Sequence, residues 1–205
     1  MKKICVFTGA ASGTNPLYKD AAYQMGQMIG SRGLGLVYGG GKMGLMGAVA
    51  DGVLAANGRV TGIIPQFLDN VEVGHKGVTD LHIIDSMHER KAMMYDISDA
   101  FVIFPGGLGT LDETMEIITW RQLGLHNKPI IIVNLNGYWD SMLIMFQNII
   151  DQGFMHHGHT GHFDQVDDLD GRALLVIIRS EEKPPYQPNA QTGRGPNRNK
   201  WQYSR

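Results

Sequence analysis

Short, continuously apolar runs alternate with segments of helical period along most of the chain. Runs at 3–7, 34–38, 59–64, 81–85, 100–104 and 129–133 read as strands. They are apolar throughout rather than at every second position, as strands covered on both faces should be, and this predicts a parallel sheet. Between them, helical segments are expected from Pro16, a favourable first-turn residue, to near Arg32-Gly33, and from Gly44 to about Ala56, where Asn57-Gly58 stops the helix. Further helices are expected over about 87–98, from the 105–110 loop to about Leu123, and over about 138–152. Residues 174–178 fit either a strand or a helix face, and no internal repeat is visible.

Strand, loop and helix in regular succession predict a doubly wound, mainly parallel, Rossmann-like α/β sheet with helices on both faces. Such sheets bind ligands beyond the carboxyl ends of their strands, where the strand order reverses. With 205 residues, 43% of them hydrophobic, one domain over residues 1–182 is expected, followed by a flexible or partner-draped tail over 183–205. That tail holds Lys183, Arg194, Arg198, Lys200 and Arg205 and no acid. The net charge of −2 therefore conceals −7 over residues 1–182, which argues against nucleic acid as a partner of the folded part. A single cysteine, Cys5, excludes an internal disulfide framework and any multi-cysteine metal site. It reads as buried apolar filler in a protein of a reducing compartment, here the cytoplasm. No apolar stretch is long enough to span a membrane.

Two glycine loops follow strands. Gly39, Gly41 and Gly44 match the spacing of a dinucleotide fingerprint, but Gly62-Ile63-Ile64-Pro65 stands where that fingerprint needs a ribose-binding acid, and no Ser or Thr follows Lys42 as a P-loop would require. These glycines either permit tight turning and close packing or, with Gly40, form a wall of a nucleotide pocket. The second loop, Pro105-Gly106-Gly107-Leu108-Gly109-Thr110, is the stronger phosphate cradle, because its glycines let a phosphate approach the backbone at a helix N-terminus. Glu113 either completes a capping box with Thr110 or places a carboxylate beside the sugar of a bound nucleotide. Glu116 lies one turn further on.

In Met87-His88-Glu89-Arg90-Lys91, two adjacent cations at a helix start oppose the helix dipole and call for an anion. Either Glu89 or Asp85 supplies it, or Arg90 meets a ligand or the catalytic carboxylate. His156, His157, His159 and His162 read as a polar surface loop rather than a metal site, and no metal is expected. Met25, Met28, Met93, Met94, Met142 and Met145 read as core or interface filler.

With these motifs in place, residues 3–167 resemble the cytokinin riboside 5′-monophosphate phosphoribohydrolases, the Lonely Guy family, some of whose members were earlier labelled lysine decarboxylases. The likeness runs through Val37-Tyr38-Gly39-Gly40-Gly41, Gly44-Leu45-Met46-Gly47, Ser86-Met87-His88-Glu89-Arg90-Lys91, the 105–113 segment and Thr119-Trp120-Arg121-Gln122-Leu123-Gly124. It implies a homodimer that cleaves the N-glycosidic bond of an adenine-type nucleoside 5′-monophosphate, without a cofactor. It also implies a catalytic pair, Arg90 and Glu113, and substrate contacts from Glu72, Met87, Lys91, Gly106, Gly107, Gly109, Thr110, Thr119, Gly40 and Gly41. The first loop departs from the family pattern, reading Phe7-Thr8-Gly9-Ala10-Ala11-Ser12-Gly13 where relatives carry Cys-Gly-Ser-Ser. The homodimer has a physical motive as well, since the Met93-Met94 and Met142–Met145 helices offer more apolar surface than one domain buries.

The other class considered is a non-catalytic nucleotide or molybdopterin-cofactor carrier with a similar glycine loop. A pyridoxal phosphate decarboxylase has little support, because neither Lys42 nor Lys91 sits in a Schiff-base constellation.

Overall fold

The computed structural model describes residues 1–69, 73–155 and 162–169. Seven strands form one sheet: β1 (Lys3–Phe7), β2 (Gly35–Tyr38), β3 (Arg59–Pro65), β4 (Asp80–Ile84), β5 (Ala100–Ile103), β6 (Ile130–Val133) and β7 (Asp164–Val166). Their order is β4-β3-β2-β1-β5-β6-β7, and every neighbouring pair is parallel. The helices between them are α1 (Pro16–Ser31), α2 (Gly44–Ala55), a single turn α3 (Gln66–Leu68), α4 (Met87–Asp96), α5 (Leu108–Gln122) and α6 (Asp140–Asp151), the last preceded by a 3-10 turn, Leu135–Gly137. No helix of the described residues is long and apolar enough to cross a membrane.

The apolar runs other than β4, an edge strand whose residues are exposed or half-buried, become strands because each contributes to two cores at once. Ile4 and Val6 of β1, Val102 of β5 and Ile131 of β6 face one side and pack with Met25 and Ile29 of α1 and Val49 and Val53 of α2. Cys5, Phe7, Phe101, Ile103 and Ile130 face the other side with Met94, Ile117, Ile118, Met142 and Phe146. This is the strict alternation of a pleated strand, with both faces apolar. The helix α1 starts as expected, with Pro16 in its first turn and the Asn15 side chain accepting the Leu17 N–H at 3.0 Å.

The seventh strand was not foreseen in the sequence. Asp164-Gln165-Val166 is short and mostly polar, and it is held by pairing with β6 at the sheet edge rather than by burial. The polar-loop reading of the histidine tract fails at His162, which is buried as the chain enters this edge strand beside Phe163, whose ring lies 5.5 Å from that of Phe146. His156, His157, His159, residues 174–178 and the 183–205 tail lie outside the described residues. Met25, Met94 and Met142 are buried in the chain's own core, so the apolar surface that the methionine helices leave open comes chiefly from Ile144 and Met145, which are exposed, with Met93 partly buried.

Chain order reverses between β1 and β5. Their register pairs Phe7 with Ile103, so the loops that follow the two strands leave the sheet side by side. Three bonds join them: Phe104 N–H to Phe7 O at 2.9 Å, Gly9 N–H to Pro105 O at 3.1 Å and the Thr8 hydroxyl to Pro105 O at 3.0 Å.

Candidate active site

A cavity of about 750 Å³ opens at this reversal. One wall is the loop after β1, including Ala10, Ala11 and Ser12. The opposite wall is Gly106, Gly107, Gly109, Thr110 and Glu113, with Met87 and Arg90 of α4 and Leu45 and Met46 of α2 at the sides.

The second glycine loop ends in an open helix start. Gly107 is the N-cap residue of α5, and no side chain caps the helix. Of the two readings of Glu113, the capping box with Thr110 is therefore absent: Thr110 lies in the first turn and Glu113 beyond it, because the helix begins three residues earlier than that reading required. The N–H groups of the first turn have no intrahelical carbonyl to meet. A methyl group added at Gly107 or Gly109 would meet no other atom, so the bare backbone faces open space. At Gly106, in contrast, it would strike the hydroxyl of buried Thr110.

The first glycine loop behaves differently. The Leu45 and Met46 N–H groups at the start of α2 both bond to Gly9 O, at 3.0 and 3.2 Å. Gly40 O accepts the His75 N–H, and the Lys42 N–H bonds to Val73 O, both at 2.9 Å, while Gly41 pairs with Gly74. Gly40 and Gly41 are buried packing residues outside the cavity lining, and α2 reaches the pocket through Leu45 and Met46. Gly39 has a further task that the fingerprint does not reveal. Any Cβ there would collide with the Arg90 guanidinium.

Arg90 and Glu113 are 6% and 8% exposed, and their charged ends stand 3.9 Å apart across the α4–α5 junction. Arg90 also donates to the Met87 sulfur at 3.8 Å, and its Nε has no hydrogen-bond partner among the described residues. Helix α4 is capped by the Ser86 hydroxyl, which accepts the Glu89 N–H at 3.2 Å, while the Glu89 carboxylate returns to the Asp85 N–H at 3.1 Å. The anions that meet the Arg90-Lys91 pair come instead from α5. Lys91 bridges Asp112 and Glu116, each at 3.2 Å. Burial pulls its ammonium pKa down, but hydrogen bonds to Glu116 and Asp112 and their charges outweigh that and leave it raised. Burial, with the charge of Glu113 second, pushes the Cys5 thiol well above its ordinary value.

The structure thus gathers Met87, Arg90, Gly106, Gly107, Gly109, Thr110 and Glu113 around one cavity. It places Lys91 in a salt-bridge cluster beside it and Thr119 on the exposed face of α5, outside the lining. Glu72 lies outside the described residues. Tyr18 and Tyr138, which also line the cavity, gave no signal in the sequence.

A family model described as "Possible lysine decarboxylase" matches residues 46–173. Over 184 residues, 90% of this chain and 79% of the relative, the sequence is 44% identical to a probable cytokinin riboside 5′-monophosphate phosphoribohydrolase of Oryza sativa subsp. japonica. It is 44% identical over 154 residues, 75% of this chain and 72% of the relative, to a cytokinin riboside 5′-monophosphate phosphoribohydrolase of Arabidopsis thaliana. The chain belongs to the cytokinin riboside 5′-monophosphate phosphoribohydrolase family. Among solved structures, the fold of this phosphoribohydrolase family member is similar to a molybdenum cofactor binding protein from Rippkaea orientalis, with TM-score 0.66, 21% identity and coverage of 89% of this chain and 99% of that one. It is also similar to a molybdenum cofactor carrier protein from Chlamydomonas reinhardtii, with TM-score 0.64, 18% identity and coverage of 86% and 96%. At such identities these two likenesses concern the fold alone.

The decarboxylase description does not suit the residues present. No lysine is among the described residues lining the cavity, and nearby Lys91 is paired with two carboxylates and raised in pKa, whereas an amine that forms a Schiff base needs its neutral form. Pyridoxal phosphate therefore does not fit this site. Among the described residues no group of three or more His, Cys, Asp or Glu could hold a metal ion.

Proposed function

We propose that this protein hydrolyses the N-glycosidic bond of adenine-type nucleoside 5′-monophosphates, cytokinin riboside monophosphates among them, releasing the free base and ribose 5-phosphate. The observation that carries the reading is the buried Arg90–Glu113 pair set beside an uncapped helix N-terminus flanked by bare glycines. The family, whose curated members of 42–46% identity are named for this reaction, supports it.

Glycosidic cleavage builds positive charge on the ribose as the base departs. A carboxylate beside the sugar stabilises that charge or orients the attacking water, and Glu113 is the buried carboxylate of the cavity. Arg90, 3.9 Å away, holds Glu113 in place, and its Nε, without a partner among the described residues, is a donor for the substrate. The first-turn amides of α5, aided by the helix dipole, anchor the 5′-phosphate, and that remote binding energy aligns the sugar. Lys91 keeps α4 and α5 in register by gripping Asp112 and Glu116.

The same reading includes a homodimer, supported by exposed Leu123, Leu125 and Ile144, and a cytoplasmic setting, supported by the lone free cysteine. A carrier role is not favoured by any feature of the site. The test is incubation with AMP and with isopentenyladenosine monophosphate, followed by chromatography for free base and ribose 5-phosphate. Release of base from either supports the reading, and recovery of both nucleotides intact refutes it.

A further inference from the structure

We infer that Tyr138 is a positioning residue: its hydroxyl fixes the plane of the Gly106–Gly107 peptide and so aims the Gly107 N–H at the substrate phosphate. The inference rests on the phosphate-anchoring role proposed above for the loop.

The Tyr138 hydroxyl donates to Gly106 O at 2.6 Å across 32 positions of sequence. The neighbouring carbonyls of the loop are held by backbone or by the first loop: Pro105 O takes the Gly9 N–H and the Thr8 hydroxyl, and Gly107 O takes the Leu111 N–H. The Gly106 carbonyl is held by a side chain instead. It belongs to a Gly–Gly peptide, where no Cβ on either side biases rotation, so this is the plane in the loop with the least intrinsic preference. In a trans peptide the carbonyl and the following N–H point to opposite sides. Drawing Gly106 O toward Tyr138 therefore turns the Gly107 N–H the other way, and Gly107 lines the cavity with open space around it.

Tyr138 is itself held. The edge of one ring meets the face of the other between Tyr138 and Tyr18, at 5.5 Å, and between Tyr138 and Trp139, at 4.8 Å. The turn before it is fixed by Asn134, whose side chain accepts the Trp139 N–H at 2.7 Å and donates to Asp140 at 2.8 Å. A rigid donor on a separate element is what sets a flexible glycine pair before substrate arrives, so that binding does not have to order it.

The test is full-length Tyr138→Phe, which keeps the ring and its aromatic neighbours and removes the hydroxyl alone. The KM for AMP is expected to rise about tenfold with kcat within about threefold of wild type. Cleavage of adenosine, which has no phosphate, should be unchanged. Calorimetric titration with ribose 5-phosphate should show the same weakening of Kd. An unchanged KM and Kd, or an equal fall in kcat for AMP and adenosine, overturns the inference. If the wild-type protein leaves both AMP and isopentenyladenosine monophosphate intact, the proposed function fails, yet the ribose 5-phosphate titration still decides Tyr138: weaker binding by the variant supports the role, and equal binding overturns it.

Discussion

The two glycine loops of this protein have the same local grammar, a buried parallel strand, a run of glycines and a helix, and they stand on the same edge of the sheet. After β2 the helix start is consumed by the protein: Gly9 O takes two of its amides, and the 73–75 segment pairs with the glycines before it. After β5 the helix start has no side-chain cap, and its glycines border empty space. A glycine motif therefore announces a ligand site only when the chain leaves its amides unclaimed, and the partners that claim them lie far off in sequence. The first loop serves the site indirectly, by leaving at Gly39 the volume that the Arg90 guanidinium fills.

The largest expected effect lies in the open loop's helix. Glu113→Gln should lower kcat by about 10²–10⁴-fold while the protein stays folded. Steady-state kinetics beside a thermal melt would check this, and normal turnover in a folded variant would remove Glu113 from the chemistry. Next is Gly39→Ala, where the new methyl must displace Arg90. The expected outcome is a loss of about 1–3 kcal/mol in stability together with a fall in kcat/KM of at least about tenfold. If activity survives intact, the closed loop has no bearing on the site.

A matched pair then separates the loops directly. Gly44 has φ +64° and no room for a side chain, since Ala10 O blocks it, so Gly44→Ala should cost about 1–3 kcal/mol by denaturant unfolding. Gly107 has an extended backbone, φ −95° and ψ −155°, and an open approach. Gly107→Ala should leave stability within about 0.5 kcal/mol and raise the KM for a nucleoside monophosphate instead. Equal stability losses at the two positions would break the contrast.

The smallest effect concerns the far end of α5. His126 bonds through Nε2 to Ile117 O at 2.9 Å and accepts the Lys128 N–H at Nδ1, an arrangement that requires the neutral ring. Burial lowers its pKa from 6.5, with the charges of Arg121 and Lys128 adding to the fall and the Ile117 bond opposing it. A lowered value means that the unfolded chain binds the proton more tightly. The contribution to stability is therefore whole above about pH 6.5 and is lost as pH falls through the folded-state pKa. Unfolding measured at pH 7.5 and 5.0 should show this loss in wild type, and His126→Gln should reduce it.

Strands β1, β2, β3, β5 and β6 were legible because burial on both faces leaves an apolar run, a signal that needs no knowledge of neighbours. β7 was illegible for the opposite reason, since a three-residue polar edge strand is defined by its partner. At the site, the sequence pointed to the 105–110 backbone as a cradle and gave Arg90 and Glu113 each a structural and a functional reading, between which the family resemblance chose. It misplaced the helix start, because Thr110 looks like a cap while the glycine that takes the position has no side chain to announce it. The space at Gly39 and the grip of Tyr138 on Gly106 are tertiary facts, spread over separate elements, and no local window contains them.

The bond from the Thr8 hydroxyl to Pro105 O spans 97 positions, and it lies on the seam where β1 meets β5. Closing that seam requires the chain to surrender the entropy of a very long loop, so it is a slow event in folding, and during synthesis it waits until β5 has left the ribosome. The pocket exists only once the seam is shut. A nucleotide seated across it binds the folded chain and not the open one, and so raises the free energy of parting by RT ln(1 + [L]/Kd). Under the proposed function, substrate supply thereby lengthens each molecule's survival of heat and proteolysis, because the bound nucleotide clamps the two halves of the fold.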